Sequence, residues 1–196
     1  MGRIVTTLCG LLLLCPLSAF GGTAPGFTLS GLMRVLASVR TASASFTETK
    51  SLPLVTIGLQ SRGTLAYMAP DYLRKTTTEP VPQQFVLRNG IARLTMSGRT
   101  KRFALDQAPQ LAGLVEGVRA TLAGDLPVLQ HYYTLSLSGG ATHWQLLLRP
   151  KAAALSKIMA WMSITGDGDK ITEVDSADAT GGEARMRVRE TILHAR

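Results

Sequence analysis

The side chains best suited to catalysis or metal binding are few and widely spaced. The three histidines, His131, His143 and His194, are isolated, and none stands in an HxH or HExxH spacing that would bring two imidazoles to one metal. The sequence contains no GxSxG nucleophile elbow, no GxxxxGK[ST] phosphate loop and no GxGxxG after a strand pattern. We therefore predict that the protein is not an enzyme and uses neither a metal nor a cofactor.

One acidic segment resembles a calcium loop superficially. It is Gly166-Asp167-Gly168-Asp169, which lacks the later ligands and the central glycine of an EF-hand. Because it lies between two runs of alternating apolar and polar residues, we predict a hairpin turn there. No pair of carboxylates can be assembled into a general acid–base site from the sequence.

Composition indicates a folded basic protein. The 196 residues are 45% hydrophobic and 17% charged, and the formal net charge is +8. A basic balance suits anionic partners, which include nucleic acid, acidic lipid headgroups and acidic protein surfaces. Lysine and arginine are scattered through strand-like runs instead of being clustered on one helix, which makes nucleic acid the weaker option.

The N-terminus has the pattern of a secretory signal peptide. Arg3 precedes the almost entirely apolar run 4–15, and small residues follow Pro16. We predict a signal peptide over 1–21, with cleavage between 19 and 24; the alternative is an uncleaved anchor. Both cysteines lie within it, and neither has the position that a lipoprotein signal requires. The mature product is thus predicted to be a soluble periplasmic protein without a disulfide or a lipid anchor.

Most of the mature chain alternates at strand spacing, with turn residues between the runs. Predicted strands cover 45–51, 62–69, 72–78, 84–88, 91–96, 132–138, 143–149, 158–165, 170–176 and 184–192. Asn89-Gly90 is the strongest hairpin signal. Apolar residues recur at helical spacing over 29–42 and again after Asp106. The sequence predicts an α+β fold in which one antiparallel sheet meanders and a helical insertion interrupts it, with no domain linker.

The alternation separates an apolar face of the sheet from a polar one. Trp144, Leu146 and Leu148 share one face of their strand, and Leu65 and Tyr67 share one face of theirs. The apolar face is either a core packed under the two helices or a concave surface that is only partly filled. Periodicity does not distinguish these interpretations.

Three arginines share the polar face of the last strand. Arg185, Arg187 and Arg189 alternate with Met186 and Val188. They form either a solvated outer face, which also protects a sheet edge from aggregation, or a docking surface for an anionic partner.

In its order of motifs the chain resembles the LolA-like family of periplasmic outer-membrane lipoprotein carriers. The resemblance covers nearly the whole mature chain and rests on the segments Ala44–Glu48, Gly63–Leu65, Pro70, Pro80, Asn89-Gly90, the helical insertion, Trp144–Pro150 and Gly181-Gly182. A divergent branch, found near aryl-polyene-type lipid biosynthesis genes, is more similar still. Its pattern is matched by Phe46-x-Glu48-x-Lys50, by Arg119–Asp125 and by Tyr132.

The resemblance implies an open antiparallel half-barrel, with helices covering a concave apolar face that shields acyl chains. Residues 25–196 would form a single LolA-like lipid-binding domain. In the better-known carriers an arginine immediately precedes the proline that ends the second strand and ties the lid shut. Ala69 stands at that position here, and Leu73 and Lys75 follow where the carriers favour aromatic residues.

These expectations give a candidate lipid-binding set on the strands and on the insertion. The set is Phe46, Leu65, Tyr67, Leu73, Phe85, Leu87, Leu111, Leu114, Val115, Val118, Trp144 and Leu146. The predicted partners are a lipoprotein or lipid cargo, an inner-membrane donor, an outer-membrane acceptor and, transiently, a membrane surface, and the protein is expected to be a monomer. The alternative is a periplasmic interaction or scaffold protein of a lipid-export or biosynthesis system, with no cargo of its own. A third hypothesis, an enzyme of the same lipid pathway, has less support from the sequence.

Overall fold

The strand patterns form one antiparallel sheet with helices on one side of it. The computed structural model describes residues 26–53 and 55–195, without the side chains of Leu52, of 55–57 and of 190–195. The predicted signal peptide, with its cleavage site, lies outside the described residues. The strands are β1 (Val39–Leu52), β2 (Val55–Met68), β3 (Tyr72–Glu79), β4 (Gln83–Arg88), β5 (Ile91–Met96), β6 (Arg99–Ala104), β7 (Tyr133–Gly140), β8 (His143–Pro150), β9 (Met159–Asp167), β10 (Lys170–Asp178) and β11 (Glu183–Ala195). The helices are α1 (Leu29–Ala37), α2 (Pro109–Leu122), α3 (Leu126–Tyr132) and α4 (Ala153–Ser156), and a 3₁₀ turn at Leu105–Gln107 precedes α2.

The sheet is open, and the first and last strands of the chain, β1 and β11, pair with each other in its middle. The strand order is β6-β5-β4-β3-β2-β1-β11-β10-β9-β8-β7, and every pairing is antiparallel. Two meanders, β1–β6 and β7–β11, are therefore joined by the long β1–β11 pairing, while α2 and α3 connect the two outermost strands. This confirms the α+β class with an open antiparallel sheet, and it adds a central pairing that a simple meander does not contain.

The largest differences from the predicted element boundaries are at the end of the first helix and at the start of β2. The first helix ends at Ala37 instead of continuing to 42, because Val39 already starts β1 and Thr41 pairs with both Met68 and His194. The segment after Pro53, which lies outside the predicted strands, belongs to β2 from Val55 onwards. In both places cross-strand backbone hydrogen bonds override the local helix or loop signal.

The helices pack on one side of the sheet, which we call the inner face. The larger core lies beneath α1 and α3 on the β7–β10 half, where Leu32, Leu129 and Trp144 are fully buried. A smaller core lies on the β3–β6 half, where Leu87 and Ala92 pack beneath the start of α2. Helix α2 thus contacts both halves of the sheet.

Candidate functional site

A cavity of about 340 Å³ lies between the inner face of the sheet and helix α2. Its walls come from β1–β4 on one side and β9–β11 on the other, and its apolar lining exceeds its polar lining several-fold. Most of the lining side chains are half-buried, in contrast to the fully buried residues of the two cores. Ligand pockets in proteins have volumes of about 300–1,000 Å³, so this space is large enough for a small ligand.

Helix α2 covers the cavity with one face. Leu114, Val115, Val118 and Leu122 lie at helical spacing and line it. The opposite end of the same helix contributes to the small core through Ala112. The helix is therefore anchored at its start and forms the roof of the cavity along the rest of its length.

The predicted lipid-binding residues fall into three groups. Those that line the cavity are Leu65, Tyr67, Leu73, Phe85, Leu114, Val115 and Val118. Those that are at most 2% exposed and belong to the packed interior are Phe46, Leu87, Trp144 and Leu146. Leu111 is half-buried and lines a separate groove beside Phe103. Both interpretations of the apolar face therefore apply, each to a different part of it, and a role for these residues in lipid binding stays a prediction.

The second wall of the cavity was not included in the predicted set. It consists of Met162, Ile171, Val174, Met186 and Val188. Part of this second wall was indicated by the sequence, because Met186 and Val188 alternate with the arginines of β11 and therefore lie on the inner face. The sequence did not show that β1 lies beside β11, and this pairing brings the two walls together.

A charged pair interrupts the apolar lining. Glu48 and Lys75 both line the cavity, and their Oε2 and Nζ atoms are 2.9 Å apart. The Ser61 hydroxyl donates a second hydrogen bond to Glu48 Oε2 at 3.2 Å. Gly63 lies between the two strands that carry the pair, and a Cβ there would overlap the carbonyl of Thr76, so the close spacing of β2 and β3 requires glycine.

Arg119 ties helix α2 to the end of β2. Its guanidinium donates to the carbonyl oxygen of Pro70 at 3.1 Å, to Glu116 at 2.6 Å and to Asp125 at 3.1 Å. Burial, the largest single effect, lowers the pKa of Arg119, but hydrogen bonds and charge from Glu116 and Asp125 outweigh it and raise the pKa overall. The side chain is only 12% exposed, so the arginine holds a fixed, charged contact between roof and sheet.

Asp125 and Gly124, the end of the segment that resembles the divergent branch, have structural roles in the structure. Asp125 accepts a hydrogen bond from Val128 N and caps α3 while it also binds Arg119. Gly124 has φ +64°, and a Cβ there would overlap the carbonyl of Met33 on α1. Glycine is therefore required both by the left-handed backbone and by the close approach of α1.

Two buried tyrosines flank the roof. The Tyr133 hydroxyl donates to the carbonyl of Gly113 on α2 at 2.6 Å, and burial raises its pKa. Tyr67 lines the cavity; burial raises its pKa, and the nearby positive charges of Arg119 and Arg40 oppose that rise. Both tyrosines are therefore neutral at physiological pH.

The outer face of the sheet carries two different sets of arginines. On β11, Arg185 lies 3.2 Å from Asp175, and Arg187 lies 3.6 Å from Glu173, so their charge is largely matched. On the other half, Arg74, Arg93 and Arg102 are exposed, and none of the described carboxylates pairs with them. The register places the three in one row, because Val86 pairs with Arg74 and Arg93, and Arg93 pairs with Arg102.

The described residues contain no group of three or more His, Cys, Asp or Glu side chains that could hold a metal ion. Gly166–Asp169 is the hairpin turn between β9 and β10, as predicted. His131 and His143 are exposed. None of the described helices combines the length and hydropathy that a membrane span needs.

Comparison with known families identifies the chain. A family model described as "Outer membrane lipoprotein carrier protein LolA-like" matches residues 24–193. The chain belongs to this LolA-like family. The family resemblance inferred from the sequence is thereby confirmed, and its carrier-type fold is a binding fold of the bacterial envelope, not a catalytic one.

Solved structures of very low sequence identity are similar in fold to this LolA-like chain. A LolA superfamily protein from Nitrosomonas europaea is 10% identical, with a TM-score of 0.46 over 86% of this chain and 94% of that one. A DUF1329 family protein from Desulfovibrio piger is 10% identical, with a TM-score of 0.47 over 85% and 90%. A putative outer membrane lipoprotein-sorting protein domain from Vibrio parahaemolyticus is 9% identical, with a TM-score of 0.44 over 86% and 92%. No curated protein matches the chain in sequence.

Proposed function

We propose that this LolA-like protein is a periplasmic carrier that shields the acyl chain of a lipid, or of a lipoprotein, during transit towards the outer membrane. The observation that carries the proposal is the apolar cavity beneath α2, which both halves of the sheet line. A scaffold protein with no cargo needs no such space and would gain stability from filling it. The cavity therefore favours the carrier over the scaffold.

The physics of a carrier needs no covalent step. Each methylene moved from water into the cavity contributes about 0.8 kcal/mol, so a few chain segments suffice to hold a lipid in water. The half-buried side chains of the lining, among them Leu65, Phe85 and Val118, already present the apolar surface that such a chain would cover. Release then requires either a competing apolar surface or movement of α2.

Delivery also requires contact with a donor and an acceptor at the membranes. The row formed by Arg74, Arg93 and Arg102 is a part of the outer face where three neighbouring positive charges are not matched by a described carboxylate. Arg93 and Arg102 face each other directly across β5 and β6, an arrangement that destabilises a sheet unless an anion lies over it. We assign the membrane-surface contact to this row instead of to the arginines of β11.

The direct test of the proposed function is capture of a neutral apolar dye. Titration of the protein with N-phenylnaphthylamine should raise the dye's fluorescence saturably, and a single-chain lipid should displace it. If the fluorescence of the dye does not rise and no lipid displaces it, the carrier proposal is contradicted and the scaffold alternative remains.

A further inference from the structure

Apart from Arg74, the charged residues of the mostly apolar cavity lining are Glu48 and Lys75, which meet at one end of the cavity. Lys75 faces Leu65 on β2 and Phe85 on β4, so its position in the sheet is one that an apolar residue would fill. Glu48 is 11% exposed and Lys75 is 28% exposed. Replacing a pair of this kind by apolar residues of similar volume is often neutral or stabilising, so stability alone gives little reason for it.

Of the two charged groups in this pair, the Lys75 ammonium is the one with hydrogen-bond donors that no described residue accepts. Glu48 Oε2 already accepts from Lys75 Nζ and Ser61 Oγ, and Lys50 Nζ lies 3.9 Å away. An ammonium has three donors, and within the described part of the chain Lys75 uses one of them, on Glu48. Its Nζ also lies 4.7 Å from the centre of the Phe46 ring. Two lysines against one carboxylate give this end a net positive charge.

The cavity has the shape of a slot with a polar end. Its lining on β1 extends from Ala42 to Glu48, a span of six residue steps, which is about 20 Å of strand. At the Ala42 end lies Tyr67, close to the contact between Arg119 and Pro70. Beyond Glu48 the same face of the β1–β2 hairpin is exposed, with Lys50 and Leu59 more than half accessible. The charged pair therefore stands at the solvent end of the slot.

We propose that the cargo is an amphiphile with an anionic phosphate or carboxylate headgroup, which Lys75 binds at the open end while the chain fills the slot towards Tyr67. This inference rests on the proposed function and specifies its substrate class. Glu48 positions Lys75 over the slot and partly neutralises it, which keeps the empty site from holding an isolated half-buried cation. The headgroup would add a charge-assisted hydrogen bond to the apolar contacts of the chain.

The experiment compares probes that share one chain and differ in the headgroup. Dodecyl phosphate, dodecanoate and uncharged dodecanol are each titrated against protein loaded with N-phenylnaphthylamine, and inorganic phosphate alone is the fourth probe. We expect both anionic probes to displace the dye at concentrations about tenfold lower than dodecanol. Inorganic phosphate should not displace it, since the headgroup without a chain gains no apolar contact.

Variants of the pair separate recognition from folding. Lys75→Met should reduce the preference for anionic probes over dodecanol to about onefold, whereas Glu48→Gln should increase the preference because it releases Lys75. If either single variant fails to fold, the double variant Glu48→Gln/Lys75→Met, which removes both half-buried charges of the pair and leaves only the exposed Lys50, should bind all three chains equally. Arg62→Met is the matched control: its ion pair with Glu79 is exposed on the neighbouring segment of β2, and the preference should stay as in the native protein.

The outcomes distinguish this inference from the carrier proposal. Equal displacement by all three chains in the native protein, or a preference that survives in Lys75→Met, would overturn the headgroup site and leave the carrier intact. Displacement by inorganic phosphate alone would also overturn it, because the site would then bind a free anion. Failure of every probe to displace the dye, or of the dye to bind, would overturn both.

Discussion

Arg119 on helix α2 donates a hydrogen bond of 3.1 Å to the carbonyl oxygen of Pro70, the residue that follows Ala69 in the turn after β2. The contact joins the roof of the cavity to its wall. In the family pattern the arginine was expected on the strand, at the position that Ala69 occupies here. In this chain the arginine is on the helix, and the strand end contributes only a backbone acceptor.

Removing this contact should loosen the roof. We predict that Arg119→Met lowers the free energy of unfolding by about 2 kcal/mol, because the half-buried Glu116 and Asp125 lose their shared partner. Urea denaturation measures this loss, and stopped-flow dye release should be faster than in the native protein. Arg119→Lys keeps the charge but has one nitrogen in place of the three that donate to Glu116, Pro70 and Asp125, so it should be intermediate. Dye release at the native rate in a folded Arg119→Met variant would show that the contact does not control the roof.

A charge inside the slot should abolish capture without unfolding the protein. Leu65 is half-buried and lines the cavity, so Leu65→Arg should weaken dye binding at least about tenfold, since an unpaired charge in apolar surroundings is costly. Leu59→Arg is the control: it lies on the same strand and the same face, yet it is 59% exposed. Fluorescence titration and far-UV circular dichroism are measured together. Native dye affinity in a folded Leu65→Arg variant would place the binding site elsewhere.

Position 124, in the turn between α2 and α3, should tolerate no Cβ. Gly124→Ala is expected to destabilise the protein by more than about 2 kcal/mol, through left-handed backbone strain and overlap with Met33 and Ala37 on α1. Gly168→Ala is matched in backbone, with φ +58° but nothing within 4 Å of the added carbon, and should cost only about 1 kcal/mol. Urea midpoints measure both. Equal losses would mean that the contact with α1 contributes nothing.

The local patterns were sufficient for most of the strands, the helical insertion and the family, but the predicted strands omitted β6 and the first half of β2. Alternation placed Leu65, Tyr67 and Phe85 correctly on one face, because side-chain direction in a strand follows from position alone. The Asn89-Gly90 hairpin followed from turn chemistry in the same way; Asn89 and Gly90 both have positive φ.

What the sequence did not show are the consequences of long-range pairing. β1 lies beside β11, at the other end of the chain, and no local signal encodes this neighbour. Half of the cavity wall and the distinction between core and lining depend on that pairing. Trp144 and Leu65 have the same alternating environment in sequence, but the first is covered by the packed helices and the second faces the slot. The Glu48–Lys75 contact also joins β1 to β3, and the alternation of residues within one strand does not show that two side chains on different strands meet.

Contact with anionic membranes should depend on the unmatched arginines. We predict that the protein binds vesicles containing phosphatidylglycerol more tightly than pure phosphatidylcholine vesicles, and that Arg93→Ser/Arg102→Ser weakens this binding about thirtyfold, at about 1 kcal/mol per arginine. Arg185→Ser/Arg187→Ser removes the same charge from the same face, where carboxylates already match it, and should have a smaller effect. Co-sedimentation at low salt is the measurement. Equal loss in both double variants would indicate a non-specific charge effect.

The most direct measurement of the carrier proposal is native mass spectrometry of the protein purified from the periplasm, followed by solvent extraction of whatever it holds. The carrier proposal predicts an adduct with the mass of an amphiphile, recovered in the organic extract and lost in Leu65→Arg; the headgroup inference further predicts that this amphiphile carries a phosphate or a carboxylate. A native protein of bare mass, whose extract contains no lipid above that of Leu65→Arg, would contradict the carrier proposal.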